Sequence, residues 1–332
     1  MSTDRELSAV NADTSGRSSE DVPAPESELP FVSIVVPVYN DPAGISATLD
    51  SLVRQSYSNS RHEVVVVDNG STDRTPSVVQ EYSETFEAIE LVIEDEVRGS
   101  YAARNRGIRA TSGPVVAFID ADMIVGPQWI ERVARVMAAS DTEYLACDVE
   151  LFSPEDEGTI AKYNRLNDLH VERFMEEQLF APTCCLVVRR SVFDQLGLFD
   201  PRVRSGGDFE FGNRVHADGR RVEYRPELRM YHPTRTSLTA LLRKAVRVGR
   251  GKTQLRRHYP DRYGSPLVYA LNPRAFLPPK PGFLKRSIRE WTTLSVSEKL
   301  VFALLSYLTS LAKAYGQLRE IADPTDTNAA GT

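Results

Sequence analysis

Short apolar runs, mostly of β-branched residues, alternate along the first half of this chain with longer segments in which apolar residues recur every three or four positions. The short runs predict strands at 31–40, 63–67, 89–93 and 115–119. The longer pattern predicts helices after Asp41-Pro42, from about Arg74, at 100–110 and at 127–139. Continuous apolar strands that alternate with helices are typical of a parallel sheet covered on both faces. We therefore predict an α/β fold with a mostly parallel central sheet flanked by helices.

Polar residues gather where three of the predicted strands end. They are Tyr39, Asn40 and Asp41 at the end of the first strand, Asp68, Asn69 and Asp73 after the second, and Asp120 and Asp122 after the fourth. In an open α/β sheet, ligands bind in the crevice outside the carboxyl ends of the strands. We therefore expect these residues to share one crevice, which is the expected place for a nucleotide.

The Asp120-x-Asp122 pair suggests a divalent metal that holds a diphosphate, because Mg²⁺ and Mn²⁺ usually bind through one or two carboxylates together with substrate phosphates. An ordinary solvated turn after a strand is the alternative. Asp68 could accept the N–H of a base, or it could belong to an Asx-rich turn. Arg104 lies in a predicted helix near its start, where a phosphate is favoured, although a plain amphipathic helix gives the same pattern.

Composition divides the 332 residues into an ordinary folded body and a different first segment. Residues 1–30 are rich in Ser, Asp, Glu and Pro, so we predict a disordered tail, and they lack the basic start and apolar region of a signal peptide. The three cysteines show no zinc-ligand spacing, and a reduced cytoplasmic setting is expected.

The net charge of −6 hides a strongly basic block at residues 220–289, where 18 Lys or Arg stand against three acidic residues. Such a block predicts an anionic partner, whether phosphates, nucleic acid or membrane headgroups, unless it only forms solvated helix faces. Downstream, the apolar stretch between Lys299 and Lys313 is shorter than the about 20 residues needed to span a bilayer. It fits a helix in the membrane interface, a helix packed on the domain, or a dimer contact.

Four ordered blocks together resemble the family 2 glycosyltransferases, which have the GT-A fold. The blocks are SIVVPVYN at the first strand, VVVVDNGSTD at the second, the RGSYAARNRGI helix, and FIDAD. The resemblance covers about residues 31–235. It implies an inverting transferase that moves a sugar from a nucleoside diphosphate sugar to an acceptor hydroxyl with the help of a divalent metal, Mn²⁺ or Mg²⁺.

The same resemblance implies roles for individual residues in donor binding. Asp122 would be the direct metal ligand, with Asp120 close to the ribose or to metal-bound waters, and Arg104 would lie near the diphosphate. The nucleoside pocket would be lined by Pro37, Tyr39, Asn40 and Asp68.

Inversion by direct displacement also needs a general base that takes the proton of the attacking hydroxyl. The segment RSGGDFEFG offers Asp208 and Glu210 at a predicted helix start, and it resembles the acidic helix start of the family. The family pattern usually reads Glu-Asp, whereas here Gly207 replaces the Glu. We therefore predict Asp208 as the base and Glu210 as an orienting or acceptor-binding residue. A helix N-cap is the alternative for Asp208.

Two further residues are candidates with open alternatives. His232 in Tyr-His-Pro resembles the position from which some GT-A enzymes bring a histidine to the metal, although a lone histidine is more often a satisfied surface or core residue. Trp129, in a Gly-Pro-x-Trp helix start, could stack on a sugar or acceptor, or it could be a core aromatic.

The predicted organisation is a tail at 1–30, a GT-A domain at 31–235, a basic helical extension at 236–320 and a second tail at 321–332. The domain would divide into a nucleotide-binding half at 31–125 and an acceptor-binding half at 126–235. The predicted acceptor is a glycan, a lipid-linked glycan or a polyprenyl phosphate carrier, and no nucleic acid is expected. The predicted place is the cytoplasm, with peripheral contact to the cytosolic face of the cell membrane as a further expectation. A nucleotidyltransferase and an inactive ligand-binding protein are the alternative functions.

Overall fold

The computed structural model describes residues 28–153 and 157–324, and within them eight strands form a single sheet. The β-branched runs form strands because their side chains pack well on a pleated, buried surface. The strands are β1 (Val32–Val38), β2 (His62–Asp68), β3 (Ile89–Ile93), β4 (Val115–Phe118), β5 (Ile124–Val125), β6 (Tyr144–Phe152), β7 (Leu186–Arg189) and β8 (Val222–Pro233).

The strand order across the sheet is β3-β2-β1-β4-β7-β6-β8-β5. Strands β1 to β4 are parallel, as predicted, so that the carboxyl ends of β1, β2 and β4 open on the same edge. Strand β7 lies antiparallel between β4 and β6, and the short β5 runs antiparallel to β8. Strands β6 and β8 are parallel. The sheet is therefore mixed, with its parallel part confined largely to the first half of the chain.

Helices cover the sheet and form the C-terminal region. They are α1 (Pro42–Leu52), α2 (Thr75–Thr85), α3 (Ser100–Ala110), α4 (Trp129–Ala139), α5 (Thr159–Asn167), α6 (Val171–Gln178), α7 (Arg190–Leu196), α8 (Gly207–Ala217), α9 (Leu238–His258), α10 (Pro260–Tyr263), α11 (Pro266–Ala270), α12 (Pro281–Ser287) and α13 (Val296–Ala322). Short 3₁₀ turns span Asn59–Arg61, Thr183–Cys185 and Pro273–Phe276.

The main hydrophobic core lies around the central strands, whose side chains are almost entirely buried. Of the tail predicted for residues 1–30, residues 1–27 lie outside the described residues. At its end Leu29 is buried in the core, and the Tyr57 hydroxyl donates to the Pro30 carbonyl. The packed chain thus begins before residue 31. The tail predicted for 321–332 overlaps the end of α13, and residues 325–332 are not described.

The C-terminal extension packs through a second, smaller apolar cluster that joins α5, α9, α12 and α13. Its members include Tyr163, Leu241, Leu284, Phe302 and Leu305. None of the helices that the structure describes is long and apolar enough to cross a membrane.

Helices α9 and α13 approach closely at two glycines. A Cβ at Gly249 would overlap the carbonyl oxygen of Lys313, and one at Gly316 would overlap that of Val246. Near the end of α13, the buried carboxylate of Glu320 pairs with Arg250 at 2.7 Å and with Arg257 at 3.1 Å. One face of α13 is therefore fixed on the domain.

Candidate active site

The loops after β1 and β2 are tied together by hydrogen bonds at the carboxyl edge of the sheet. The backbone N–H of Asn40 donates to the Ser71 hydroxyl at 2.8 Å, and the Asn40 side-chain oxygen accepts from the Thr72 N–H at 2.8 Å. Asn40 adopts a left-handed backbone with φ of 49°, which asparagine tolerates better than most residues. These contacts bring together the loops after β1 and β2, two of the three strand ends that the sequence places in one crevice.

Only one of the two oxygens of the buried Asp68 carboxylate has a hydrogen-bond partner among the described residues. Its Oδ2 accepts from the Ser71 N–H at 2.9 Å, whereas Oδ1 is buried and has no hydrogen-bond partner among the described residues. A buried acceptor without a partner is costly and calls for a missing donor. The N–H of a nucleobase would supply that donor, so Asp68 fits the nucleoside pocket.

The rim of this pocket carries an aromatic ring and a cation. Tyr39 is 57% exposed, and the guanidinium of Arg98 lies 5.8 Å from the centre of its ring. Arg98 also donates to the backbone carbonyls of Asn69 at 2.5 Å and Gly70 at 2.7 Å. Arg98 thus stabilises the loop after β2. Pro37, which was predicted to line the nucleoside pocket, lies within β1 in register with Val67.

Arg104 links α3 to the end of β4. Its guanidinium donates to Asp120 Oδ1 at 2.5 Å and to the Ser100 carbonyl at 3.3 Å, while its Nε is buried without a partner. One oxygen of Asp120 is therefore committed to Arg104. A further anion at this position, such as a diphosphate, would find an arginine held in place by an existing charge-assisted bond.

Asp122 and His232 come together because β5 pairs with β8, which places Ile124 opposite Tyr231. His232 Nε2 lies 3.7 Å from Asp122 Oδ1. The other ring nitrogen, Nδ1, is 2.7 Å from the Pro233 carbonyl oxygen. Donation from Nδ1 to that carbonyl leaves the lone pair of Nε2 directed toward Asp122, which is the arrangement usual for metal-binding histidines.

The electrostatics at Asp122 favour a cation. Burial raises the pKa of its carboxyl, the neighbouring Asp120 and Asp41 raise it further, and His232 and Arg235 oppose that shift. Within the described part of the chain, no cluster of three or more His, Cys, Asp or Glu side chains could hold a metal ion. Asp122 and His232 therefore fit a metal ion that takes its remaining ligands from substrate phosphates and water.

Asp208 lies in the first turn of α8, bonded to a tyrosine from α3. The Tyr101 hydroxyl donates to Asp208 Oδ1 at 3.0 Å and accepts from the Asp208 N–H at 3.2 Å, and the Phe209 N–H donates to the same Oδ1 at 2.9 Å. Burial raises the pKa of Asp208, and the bonds from Phe209 and Tyr101 oppose this rise. The carboxylate is thus fixed in orientation and is a better proton acceptor than an exposed aspartate.

Local packing explains why glycine stands at position 207, where the family pattern usually has Glu. A Cβ at this position would lie 2.8 Å from the ring of Tyr101, closer than ordinary packing allows. A larger side chain here would displace the tyrosine that holds Asp208. The sequence pattern singled out the RGSYAARNRGI block but missed the role of Tyr101, which only the packing of α3 against α8 reveals.

The structure buries the side chains of Glu210 and Trp129. Glu210 is 1% exposed and pairs with Arg214 at 2.9 Å and Arg262 at 3.4 Å. Trp129 is 3% exposed and belongs to the main core. In this arrangement neither side chain offers surface to an acceptor, because Glu210 fixes α8 and Trp129 packs at the start of α4.

Four of the residues at this edge form one continuous chain of contacts. Asp120 bonds to Arg104, the Arg104 guanidinium lies 5.7 Å from the centre of the Tyr101 ring, and Tyr101 bonds to Asp208. Asp120 after β4 and the candidate base on α8 are therefore linked through Arg104 and Tyr101.

Comparison with known proteins identifies the family of this chain. The family described as Glycosyl transferase family 2 matches residues 33–197. The glycosyltransferase AglE of Haloferax volcanii is 33% identical over 300 residues, which are 89% of this chain and 97% of that protein. The validoxylamine A glucosyltransferase of Streptomyces hygroscopicus subsp. limoneus is 30% identical over 60% of this chain, which spans half of that protein.

Two solved structures show the same fold at low sequence identity. The mannosyltransferase PcManGT of Pyrobaculum calidifontis, in complex with GDP-Man and Mn²⁺, aligns with a TM-score of 0.58 at 21% identity over 96% of this chain and 94% of its own. TarS of S. aureus, residues 1–349 in complex with UDP-GlcNAc, aligns with a TM-score of 0.52 at 16% identity over 88% of this chain and 91% of its own. The predicted GT-A fold is thus confirmed.

Proposed function

The chain belongs to glycosyl transferase family 2, and we propose that it is an inverting enzyme that moves a sugar from a nucleoside diphosphate sugar to an acceptor hydroxyl by direct displacement. Family membership makes it a glycosyltransferase of the EC 2.4 class that acts on nucleotide sugars, which sets aside a nucleotidyltransferase. The observation that carries the proposed mechanism is the chain of contacts from Asp120 through Arg104 and Tyr101 to Asp208.

The donor is proposed to bind at the carboxyl edge of β1, β2 and β4. The unpartnered Oδ1 of Asp68 accepts an N–H of the base, while the exposed Tyr39 ring and the Asn40 loop bound the nucleoside. Pro37 shapes the strand end beneath them. Arg104, with its unpartnered Nε, attracts the diphosphate. Two structures with this fold hold GDP-Man and UDP-GlcNAc, which supports a nucleotide sugar without choosing the base.

Asp122 and His232 are proposed to hold a divalent cation, Mn²⁺ or Mg²⁺, with Asp120 positioned by Arg104 near its waters or the ribose. When bound, such an ion would neutralise the charge that develops on the diphosphate leaving group. The raised pKa of Asp122 and the orientation of the His232 ring support this donor set. The Mn²⁺ in the PcManGT complex supports the choice of metal.

Asp208 is proposed as the general base. Its carboxylate takes the proton of the acceptor hydroxyl, which is a sugar hydroxyl of a lipid-linked glycan or the P–OH of a polyprenyl phosphate. As the proton leaves, the hydroxyl oxygen forms its bond to the anomeric carbon and the bond from that carbon to the diphosphate breaks. Attack from the side opposite the leaving group inverts the anomeric centre. General base catalysis by a positioned side chain contributes about 10²- to 10⁴-fold to the rate.

The acceptor is proposed to be a lipid-linked glycan or a polyprenyl phosphate carrier used in the synthesis of cell-surface glycans or glycoproteins. An anionic carrier suits the basic block at residues 220–289. Such an acceptor places the reaction at the cytosolic face of the cell membrane. Glu210 and Trp129 are buried, so we propose that acceptor contacts arise from neighbouring residues on α8.

A donor screen tests this proposal. The protein is incubated with UDP, GDP and dTDP sugars, with Mn²⁺, Mg²⁺ or EDTA, in the presence of polyprenyl phosphate, and nucleoside diphosphate release is measured. We expect release with one nucleotide class, loss of release with EDTA, and an inverted anomeric configuration in the product by NMR. Full release in EDTA, or retained configuration, would contradict the proposed mechanism.

A further inference from the structure

Exposed apolar side chains concentrate in one part of the chain. Ten of the fifteen exposed large apolar residues in the described structure lie between residues 267 and 304. Val268 is 76% exposed, Val296 is 75% exposed and Leu300 is 69% exposed. Single exposed apolar residues need no explanation, but a contiguous group marks an interaction site. We name the exposed apolar residues of 267–283 and 296–304 the C-terminal apolar surface.

Two segments contribute to this surface and lie against each other. Helix α11 and the 3₁₀ turn Pro273–Phe276 both pack on α13, and the Tyr307 hydroxyl donates to the Phe276 carbonyl at 3.1 Å. Leu300, Leu304 and Tyr307 follow one another at helical spacing and so share a face of α13. The apolar residues of the two segments therefore adjoin through Tyr307.

The fold already uses the opposite face of α13. Phe302 and Leu305 are buried in the second apolar cluster, and Ser306 contacts the Tyr163 hydroxyl at 3.1 Å. The sequence left packing of α13 on the domain as an alternative. This packing explains the apolar residues on the buried face of α13 but not those on its exposed face. Leu300 and Leu304 remain outside it and are 69% and 55% exposed.

Positive charge surrounds the C-terminal apolar surface. Between residues 262 and 304 the chain has seven Lys or Arg and two acidic residues, Glu290 and Glu298, of which Glu298 is paired with Lys162. Arg274, Lys280, Lys285 and Arg286 are all exposed. Apolar side chains bordered by cations are the composition of elements that lie in the interface of an anionic membrane.

We propose that the C-terminal apolar surface docks onto an anionic lipid bilayer, with its apolar side chains in the headgroup region and its cations against the lipid charges. A second copy of the chain is the less favoured occupant, because a symmetric contact would bring like-charged rims together. The inference goes beyond the proposed chemistry and does not depend on it, because docking requires no turnover.

The docked surface is joined to the candidate base by a short path through the structure. The ring of Tyr263 lies 5.4 Å from that of Phe209, the residue after Asp208, and Arg262 pairs with Glu210 on the same helix. The C-terminal apolar surface begins four residues after Tyr263, at Leu267. Docking would therefore hold α8 close to the membrane, where a lipid-linked hydroxyl is presented.

Flotation of the full chain with vesicles tests the proposal. We expect co-flotation with phosphatidylglycerol vesicles, weak co-flotation with phosphatidylcholine alone, and loss of binding in high salt. The double variant Leu300→Glu, Leu304→Glu should weaken binding by at least about tenfold, because two apolar side chains no longer enter the interface. The control Ile93→Glu replaces an apolar residue that is 44% exposed on β3, outside the C-terminal apolar surface, and should bind like the parent chain.

Folding of each variant is checked by its melting temperature, which should be unchanged because the replaced side chains are exposed. Equal flotation of the double variant and the Ile93→Glu control would overturn the proposal, as would no flotation of the parent chain. A concentration-dependent dimer in sedimentation velocity that disappears in the double variant would assign the surface to a second copy instead. Nucleoside diphosphate release without vesicles should persist in the double variant, which separates failure of docking from failure of the proposed chemistry.

Discussion

At the scale of single residues, Tyr101 connects the arginine proposed to bind the donor diphosphate with the aspartate proposed as the base. Its hydroxyl donates to the carboxylate of Asp208, and its ring faces the guanidinium of Arg104, which pairs with Asp120. Burial raises the pKa of Tyr101 itself well above the usual tyrosine value, so the hydroxyl stays protonated and remains a donor. We therefore regard Tyr101 as a positioning residue for the base.

Removal of this hydroxyl should move the acidic limb of the pH profile. Burial raises the pKa of Asp208 and the Tyr101 hydrogen bond opposes that rise, so Tyr101→Phe raises the pKa further. The base must be deprotonated to act. The acidic limb of kcat/KM should therefore shift upward by about one pH unit, the scale of one hydrogen bond to a charged group.

The control for this experiment is Tyr57→Phe, which also removes a hydrogen bond made by a buried tyrosine hydroxyl. Tyr57 donates to the Pro30 carbonyl and is distant in sequence from both Tyr101 and Asp208. Its acidic limb should stay in place. An unmoved limb in Tyr101→Phe, with unchanged kcat, would show that the tyrosine does not act through Asp208.

At the scale of elements, the pairing of α9 with α13 depends on glycine at the crossing. Gly249→Ala places a methyl group against the Lys313 carbonyl. Overpacking of this kind costs about 1–3 kcal/mol, and the better helix propensity of alanine returns at most about 1 kcal/mol. We expect a lower melting temperature, by about 2–4 °C for each kcal/mol lost.

Gly282→Ala in α12 is the matched control, since a Cβ there meets no atom within 4 Å and its backbone is not left-handed. It should be neutral or slightly stabilising. If calorimetry gave Gly249→Ala the same melting temperature as Gly282→Ala, the close approach of the two helices would be wrong.

The helices and strands show which parts of the fold can be predicted from the sequence. Strand 89–93 and helix 100–110 were predicted at their observed ends, because local periodicity and propensity determine them. The antiparallel insertion of β7 between β4 and β6 could not be predicted, since no local pattern states which strands will be neighbours. The short β5 carries too few residues for a pattern, although it aligns Asp122 with His232.

The candidate site was predictable to the extent that it lies at strand ends. Asn40, Asp68 and Asp122 each follow a predicted parallel strand, and such ends share an edge. Tyr101 was missed because its role arises only where α3 meets α8. The burial of Glu210 and Trp129 likewise depends on tertiary contacts, with Arg214 and with the core, that residue type alone does not indicate.

At the scale of the whole molecule, the two halves of the sheet have separate tasks in the proposed account. The parallel half, with Asp122 at the edge of the donor crevice, is proposed to hold the donor and its metal. Helix α8 carries the proposed base, and the C-terminal extension, which contacts α8, is proposed to bring the acceptor from the membrane. Substitutions in the two halves should therefore separate donor binding from chemistry.

The melting temperature of each variant shows whether a loss of activity results from misfolding. Because burial raises the pKa of Asp208, its charged form carries a folding penalty at pH values above that pKa, and the penalty disappears as the pH falls through it. Asp208→Asn removes the charge and keeps an oxygen for the Phe209 and Tyr101 bonds. It should melt at or above the parent temperature at neutral pH.

The central claim is tested most directly by titrating the donor's nucleoside diphosphate into Asp122→Ala and Asp208→Asn with and without Mn²⁺, beside a turnover assay of each variant. The account predicts that Asp122→Ala loses the Mn²⁺-dependent gain in affinity, whereas Asp208→Asn binds like the parent chain and loses turnover by about 10²- to 10⁴-fold. Mn²⁺-dependent binding by Asp122→Ala at the parent affinity, or near-normal turnover by Asp208→Asn, would contradict it.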